Sequence, residues 1–226
     1  MPNSNVIKLA PSILSLDFTN LSAQLSEVEQ AGADRIHVDV MDGQFVPPIT
    51  FGPVIVDATR ASTNLTLEAH LMVNNPERQI DSFIDSGCGI VIVHQETTTH
   101  LHRVLQHIKS RGAKAGIALN PATAANVIID VLEHADLILA MTVNPGYSGQ
   151  EFIHSVLPKI EKIAKWIDDD GLNCEIEVDG GVDPETAALV AKAGARVLVS
   201  GSSIFGSDKG ISAAMKEIEE AAAGSC

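Results

Sequence analysis

Arg35-Ile36-His37-Val38-Asp39-Val40 places its polar residues two apart. On a β-strand such residues share one face, while Ile36, Val38 and Val40 share the other. An amphipathic strand lying against water would give the same alternation. Two further runs change that reading. Leu65-Thr66-Leu67-Glu68-Ala69-His70 and Glu175-Ile176-Glu177-Val178-Asp179 are also short and apolar, each finishes on a potential ligand, and Asp179 is followed at once by Gly180-Gly181. Two imidazoles and two carboxylates, His37, His70, Asp39 and Asp179, are a ligand set for one divalent ion of borderline hardness, such as zinc, iron(II), manganese or cobalt. The carboxylates also read as an acid/base pair.

Working outward, short apolar runs alternate with helical patterns along the chain. Strands are expected to end near Leu14, Asp39, His70, His94, Leu119, Thr142, Asp179 and Ser200, at intervals close to the ~30 residues of a βαβ unit. Stripes at helical spacing lie between them: Leu21, Leu25 and Val28; Ile80, Phe83 and Ile84; Leu101, Leu105 and Ile108; Ile160, Ile163 and Ile167. Asn75-Pro76-Glu77 and Asp183-Pro184-Glu185 read as helix starts, with proline in the first turn. Eight such units imply an α/β fold in which a parallel sheet closes into a (β/α)8 TIM barrel. A doubly wound open sheet would also alternate strand and helix, but gives no reason for polar residues at the end of nearly every strand. In a barrel all those ends meet at one mouth. With no linker or low-complexity segment to split it, the chain is expected to form a single domain over 1–226.

Composition bounds the partners. The net charge of −14 argues against nucleic acid and against an anionic membrane surface. Any anionic ligand must then be held by local groups against an unfavourable overall field. Three widely spaced cysteines, Cys88, Cys174 and Cys226, suit reduced thiols better than a disulfide framework. Met1 to Ala10 has neither a basic region nor a long apolar stretch, and no run reaches membrane-spanning length. A cytoplasmic protein is expected, or a stromal one if this is the processed form of an organellar enzyme.

The answer to the charge problem lies in glycine. Asn144-Pro145-Gly146-Tyr147-Ser148-Gly149-Gln150 follows the sixth strand, Gly180-Gly181 the seventh and Gly201-Ser202-Ser203 the eighth. Glycines let the backbone approach a ligand and present its N–H groups, and a helix start nearby adds a positive dipole end. In this fold the loops after strands seven and eight commonly hold phosphate.

His37-Val38-Asp39-Val40-Met41-Asp42-Gly43 followed by Phe45-Val46-Pro47, then His70-Leu71-Met72, Val143-Asn144-Pro145-Gly146 and Glu177-Val178-Asp179-Gly180-Gly181 resemble, in order, the signature segments of the ribulose-phosphate 3-epimerase family. The resemblance runs from Leu9-Ala10-Pro11-Ser12-Ile13-Leu14 to Gly201-Ser202-Ser203-Ile204-Phe205. It implies a (β/α)8 barrel that interconverts D-ribulose 5-phosphate and D-xylulose 5-phosphate, a reaction of the pentose phosphate pathway and the Calvin cycle. Carried over by residue, His37, Asp39, His70 and Asp179 match the metal ligands, and Asp39 and Asp179 the acid/base pair. Ser12 and His70 match substrate contacts, and Met41, Met72 and Met141 match methionines beside the reacting part of the sugar. Gly146, Tyr147, Ser148, Gly149, Gly180, Gly181, Gly201 and Ser202 match the phosphate grip. The family also suggests a homo-oligomer, dimer or hexamer. The chain departs at Tyr147-Ser148, where Phe-Gly is usual, and at Pro48, where asparagine is common.

Inverting C3 of a 2-ketose phosphate needs a proton removed beside a carbonyl and one returned to the opposite face, a task for two carboxylates on opposite sides of the sugar. The nearest rival is 3-epimerisation of a related substrate such as D-allulose 6-phosphate. A metal-dependent hydrolase would not need the two opposed carboxylates and the cradle. A non-catalytic sugar-phosphate sensor would tolerate loss of a ligand. His94 ends the fourth strand, either lining the mouth as a ligand or serving as a satisfied polar residue. His100, His102 and His107 fall in an outer helical stretch and are assigned no chemistry.

Overall fold

The computed structural model describes residues 6–225. Its frame is a ring of eight parallel strands: β1 (Lys8–Pro11), β2 (Arg35–Met41), β3 (Thr66–Met72), β4 (Cys88–His94), β5 (Lys114–Leu119), β6 (Leu137–Met141), β7 (Glu175–Asp179) and β8 (Val197–Ser200). Each strand from β2 onward pairs in parallel with the next, and β8 pairs with β1. A parallel bridge between Ser12 and His37 closes the ring across β1 and β2. The outer layer is α1 (Leu21–Gln30), α2 (Pro53–Arg60), α3 (Ile80–Asp85), α4 (Leu101–Ser110), α5 (Leu157–Asp169), α6 (Pro184–Ala193), the short α7 (Ser202–Phe205) and α8 (Ile211–Ala223). This is the expected (β/α)8 barrel.

The alternation quoted for β2 sorts its residues between two layers. Ile36, Val38 and Val40 join the continuous apolar core between strands and helices, where they meet Leu25 and Val28 of α1 and equivalent stripes such as Leu105 and Ile108 of α4 and Ile160, Ile163 and Ile167 of α5. The inner face of the ring is divided. Ala10, Ile90, Ile92, Ala118, Leu137, Leu139, Val197 and Val199 fill one side with apolar atoms. Arg35, His37, Asp39, Glu68, His70 and Glu177, from β2, β3 and β7, are buried on the other. A barrel interior is normally packed with branched aliphatics, so this charged half marks where the sequence departs from purely structural needs.

Three details differ from the sequence expectation. β1 ends at Pro11 rather than near Leu14, because the Ser12 hydroxyl accepts the Leu14 N–H and turns Ile13–Ser15 into a 3-10 helix. Asn75-Pro76-Glu77 does not open α3. Asn75 adopts φ 53°, Pro76–Arg78 forms a separate 3-10 turn, and α3 begins at Ile80. The connection between β5 and β6 is a 3-10 stretch, Ala125–His134, instead of an α-helix. Asp183, in contrast, caps α6 as read: its side chain accepts the Thr186 N–H, and Thr186 returns a bond to the Asp183 N–H.

Cys88 and Cys174 are free thiols, and burial pushes both up to about 12. Cys226 lies outside the described residues. Among the described residues no helix is long and apolar enough to cross a membrane.

Candidate active site

The register of the parallel pairs brings the four polar residues together. Asp39 on β2 lies beside His70 on β3, and Asp179 ends β7 beside Met141 of β6. His37 Nε2 is 3.4 Å from Asp39 Oδ1, 3.3 Å from His70 Nδ1 and 3.9 Å from Asp179 Oδ2. His70 Nδ1 is 3.3 Å from Asp39 Oδ1 and 3.5 Å from Asp179 Oδ2. A tetrahedral ion with bonds of ~2.0–2.1 Å has donor–donor edges of about 3.3 Å. The four residues thus present one atom each at a spacing that fits a divalent ion, and they form a cluster able to hold one. His37 and His70 are fully buried, Asp39 is nearly so, and Asp179 is the member nearest the open mouth.

Burial and the neighbouring groups pull His37, His70 and Asp39 in opposite directions. Burial opposes a charge on His37, but Asp39, helped by Glu177 and Glu68, outweighs it and raises the imidazole well above its ordinary value. Burial likewise opposes His70, which hydrogen bonds to Asp179 and Asp39 nevertheless raise. Burial would raise Asp39, but the two histidines hold it below the usual carboxylate range. Protons and metal therefore compete for the same nitrogens.

Each imidazole is held from behind by its other nitrogen, as metal-ligating histidines generally are. His37 Nδ1 is 2.8 Å from Glu68 Oε1 and 3.2 Å from Glu177 Oε1. Behind these, Arg35 reaches Glu68 at 3.2 Å, Glu177 at 3.7 Å and Glu175 at 2.8 Å, and Lys8 also pairs with Glu175. Burial and the neighbouring Glu68 push Glu177 up to about 8, and neither of its oxygens completes a hydrogen bond. Burial also opposes charge on Glu68, which is nonetheless lowered by its bond to His37 and by Arg35. His70 Nε2 is 2.9 Å from His94 Nε2, and His94 Nδ1 is 3.1 Å from Glu96 Oε2. His94 is fully buried and occupied on both sides, so of its two expected roles it takes that of a satisfied polar residue.

Arg35, Glu68, Glu177 and Glu96 are not among the expected site residues. Three of them carried a signal in the same alternation: Arg35, Glu68 and Glu177 stand two before His37, His70 and Asp179, hence one layer deeper on the same inward face.

Above the imidazoles, a cleft is lined by Ser12, Asp39, Asp179, the three methionines Met41, Met72 and Met141, and the glycine loops Gly146, Tyr147, Ser148 and Gly149, Gly180 and Gly181, and Gly201 and Ser202. Ser12 donates its hydroxyl hydrogen bond to Asp39 Oδ2, leaving Oδ1 facing the histidines. Met41 and Met72 pack with Val46 under the β2 loop, whereas Met141 belongs to the apolar half of the barrel interior. The cleft floor requires glycine at two points of close approach. A Cβ on Gly180, at φ +110°, would lie 2.3 Å from Val143 Cγ2, and one on Gly181, at φ +64°, would lie 3.0 Å from the Phe152 backbone N. Ser148 is accommodated by facing the opposite rim, where its hydroxyl is 2.8 Å from that of Ser15, and Tyr147 points outward, 59% exposed. His102 and His107 lie on α4, and His100 immediately precedes it. His107 pairs with Asp81 at the surface and His102 meets the ring of His134, far from the cleft in role.

A parallel barrel with two imidazoles and two carboxylates spaced as a divalent ion would require, at the foot of a cleft lined by glycine loops, defines a class of α/β barrel with a candidate metal centre at its mouth. The sequence profile of the Ribulose-phosphate 3 epimerase family matches residues 8–205. The chain is 54% identical over 202 residues to the ribulose-phosphate 3-epimerase of Bacillus subtilis (strain 168), spanning 89% of this chain and 93% of that one. It is 52% identical over 202 residues to the chloroplastic ribulose-5-phosphate-3-epimerase of Arabidopsis thaliana, 88% of this chain and 72% of that one. Among solved structures, a 3-hexulose-6-phosphate synthase superposes with a TM-score of 0.70 over 95% of this chain and 99% of its own, at 22% identity, which bears on the fold alone. The chain belongs to the ribulose-phosphate 3-epimerase family.

Proposed function

We propose that this protein is a metal-dependent epimerase that interconverts D-ribulose 5-phosphate and D-xylulose 5-phosphate by proton transfer at C3 between Asp39 and Asp179. Membership of the family carries the epimerase activity. The observation that best supports the finer mechanism is the spacing of His37 Nε2, His70 Nδ1, Asp39 Oδ1 and Asp179 Oδ2 at near-tetrahedral edges, with both carboxylates opening onto one cleft.

In this reading Asp39 and Asp179 stand at opposite sides of the sugar. One, ionised, takes the C3 proton, the other, protonated, delivers one to the far face, and the roles exchange in the reverse direction. His37, Asp39, His70 and Asp179 would hold a divalent ion, which when bound would supply a Lewis acid for the negative charge that develops on the sugar oxygens. Ser12 orients Asp39 through its hydrogen bond. Met41, Met72 and Met141 present polarisable sulfurs and keep water from the reacting carbons. Gly146 to Gly149, Gly180, Gly181, Gly201 and Ser202 bind the phosphate through backbone N–H groups, so that a chain of net charge −14 needs no lysine or arginine there. We further propose that residues 1–226 work as one barrel domain, that the chain assembles into a homo-oligomer, dimer or hexamer, and that it acts in the cytoplasm or, as a processed form, in an organelle stroma.

The test is a coupled assay for xylulose 5-phosphate formation on native, metal-stripped and reconstituted protein, run in parallel with a six-carbon ketose phosphate. Turnover of the five-carbon substrate should vanish on stripping and return with one divalent ion per chain. Full activity in demonstrably metal-free protein would defeat the metal reading, and preference for the six-carbon sugar would move the substrate to the D-allulose 6-phosphate type.

A further inference from the structure

The two histidines of the cluster are backed differently. His37 leans on carboxylates, whereas His70 leans on a second imidazole, and this second arrangement leaves little freedom in where the protons sit. The His70 and His94 ring centroids are 5.0 Å apart, their planes differ by 22° and their Nε2 atoms are 2.9 Å apart. The rings therefore meet edge to edge, nearly coplanar, sharing one hydrogen between two nitrogens. On its other edge His94 Nδ1 faces Glu96 Oε2 at 3.1 Å. Glu96 is itself anchored, since its Oε1 accepts the Asn120 N–H at 2.8 Å and the Thr123 hydroxyl. The His94 backbone is pinned as well, its carbonyl accepting from Thr97 and Thr98.

For a neutral His70, the form that can bind a metal ion, the chain of donors and acceptors has one consistent solution. A carboxylate only accepts, so His94 carries its hydrogen on Nδ1. Its Nε2 is then an acceptor and takes the hydrogen on His70 Nε2. That leaves the lone pair of His70 on Nδ1, the atom facing His37, Asp39 and Asp179. We propose that Glu96 and His94 are positioning residues that fix which nitrogen of His70 is free to bind a metal ion. The inference rests on the reading of the four-residue cluster as a metal site, and it assigns work to two residues outside that cluster.

Glu96→Gln is the informative variant because it keeps the shape and inverts the polarity. The Asn120 N–H can only donate, so the new carbonyl oxygen must face it, which turns the amide NH2 toward His94 Nδ1. His94 must then accept there and carry its hydrogen on Nε2, pointing at His70. His70 is driven to place its own hydrogen on Nδ1, where an ion would bind. Glu96→Ala removes the constraint without reversing it.

Two readouts test this. In metal-stripped protein with 15N-labelled histidine at neutral pH, His94 should show an Nδ1–H tautomer in the wild type and an Nε2–H tautomer in Glu96→Gln. In titrations followed by the Co2+ absorption spectrum, Glu96→Gln should bind Co2+ roughly 10–100-fold more weakly than wild type, the usual range for such outer partners, and more weakly than Glu96→Ala. A purely structural role for Glu96 predicts the reverse order, with the isosteric variant the milder of the two. That order, or an unchanged His94 tautomer in Glu96→Gln, overturns the proposal. Failure of the wild type to bind Co2+ while His94 keeps its Nδ1–H overturns instead the metal reading beneath it.

Discussion

Replacing Glu177 by glutamine in the metal-free protein removes a proton that the fold otherwise has to bind. Glu177 is fully buried, and burial together with the charge of Glu68 pushes its carboxyl from an ordinary 4.5 up to about 8, against the opposing pull of His37 and Arg35. Below pH 4.5 the group is protonated in both the folded and the unfolded chain and contributes no pH dependence. Between 4.5 and 8 only the folded chain holds the proton, so stability falls as pH rises, by about 1.4 kcal/mol per pH unit. Above 8 the loss is complete. Glutamine matches the protonated acid in shape and needs no proton, and its amide oxygen can keep the position 3.2 Å from His37 Nδ1 that Glu177 Oε1 holds. Glu177→Gln is therefore expected to equal the wild type in stability near pH 4.5 and to exceed it by about 3 kcal/mol at pH 7. Urea unfolding of both metal-stripped proteins at a series of pH values, with m compared at each, measures the difference directly. A difference that does not vary with pH, or a variant that loses ground as pH rises, would refute the argument.

Other outcomes follow from the proposed chemistry. Asp179→Asn keeps the shape but cannot exchange a proton, and should lower kcat by at least roughly 10²–10⁴-fold; near-normal turnover would remove Asp179 from the mechanism. Ser148→Gly breaks the hydroxyl contact to Ser15 on the rim of the cradle and should change KM far more than kcat, because that position lies away from the reacting carbon. With two carboxylates serving opposite faces, reaction in deuterated water should place deuterium at C3 of the product from the earliest turnovers, as read by NMR or mass spectrometry. Early product still carrying hydrogen there would indicate a single shared base.

The site was legible where a side chain breaks a pattern. Asp39, His70 and Asp179 stood out because each sits at or near the end of an apolar run, where a parallel barrel opens, and His37 because it stands two before Asp39 on the same face. The deeper layer was hidden for the opposite reason. Arg35, Glu68 and Glu177 continue the same period of two, and a polar residue early in a strand reads equally well as a water-facing one until the ring closes over it. His94 could not be assigned because its role depends on Glu96, Asn120 and Thr123, which come together only through the packing of the β4 and β5 loops. In the fold, Leu14 and Asn75-Pro76-Glu77 misled because local hydrogen bonding by Ser12 and a positive φ at Asn75 end or delay regular structure, and propensity patterns do not resolve such single-residue turns.

The closure of the ring through the Ser12–His37 bridge bears on when the cluster comes into being during synthesis. His37 and Asp39 leave the ribosome early, yet Asp179 belongs to the seventh strand, and β1 is flanked on both sides only once β8 has docked. A nascent chain carrying the first three strands has two imidazoles and one carboxylate but no enclosure to hold them. A divalent ion that favours the completed arrangement would draw the last docking step forward by mass action and leave earlier intermediates untouched. Ion uptake would then favour finished barrels over those still open at the seam.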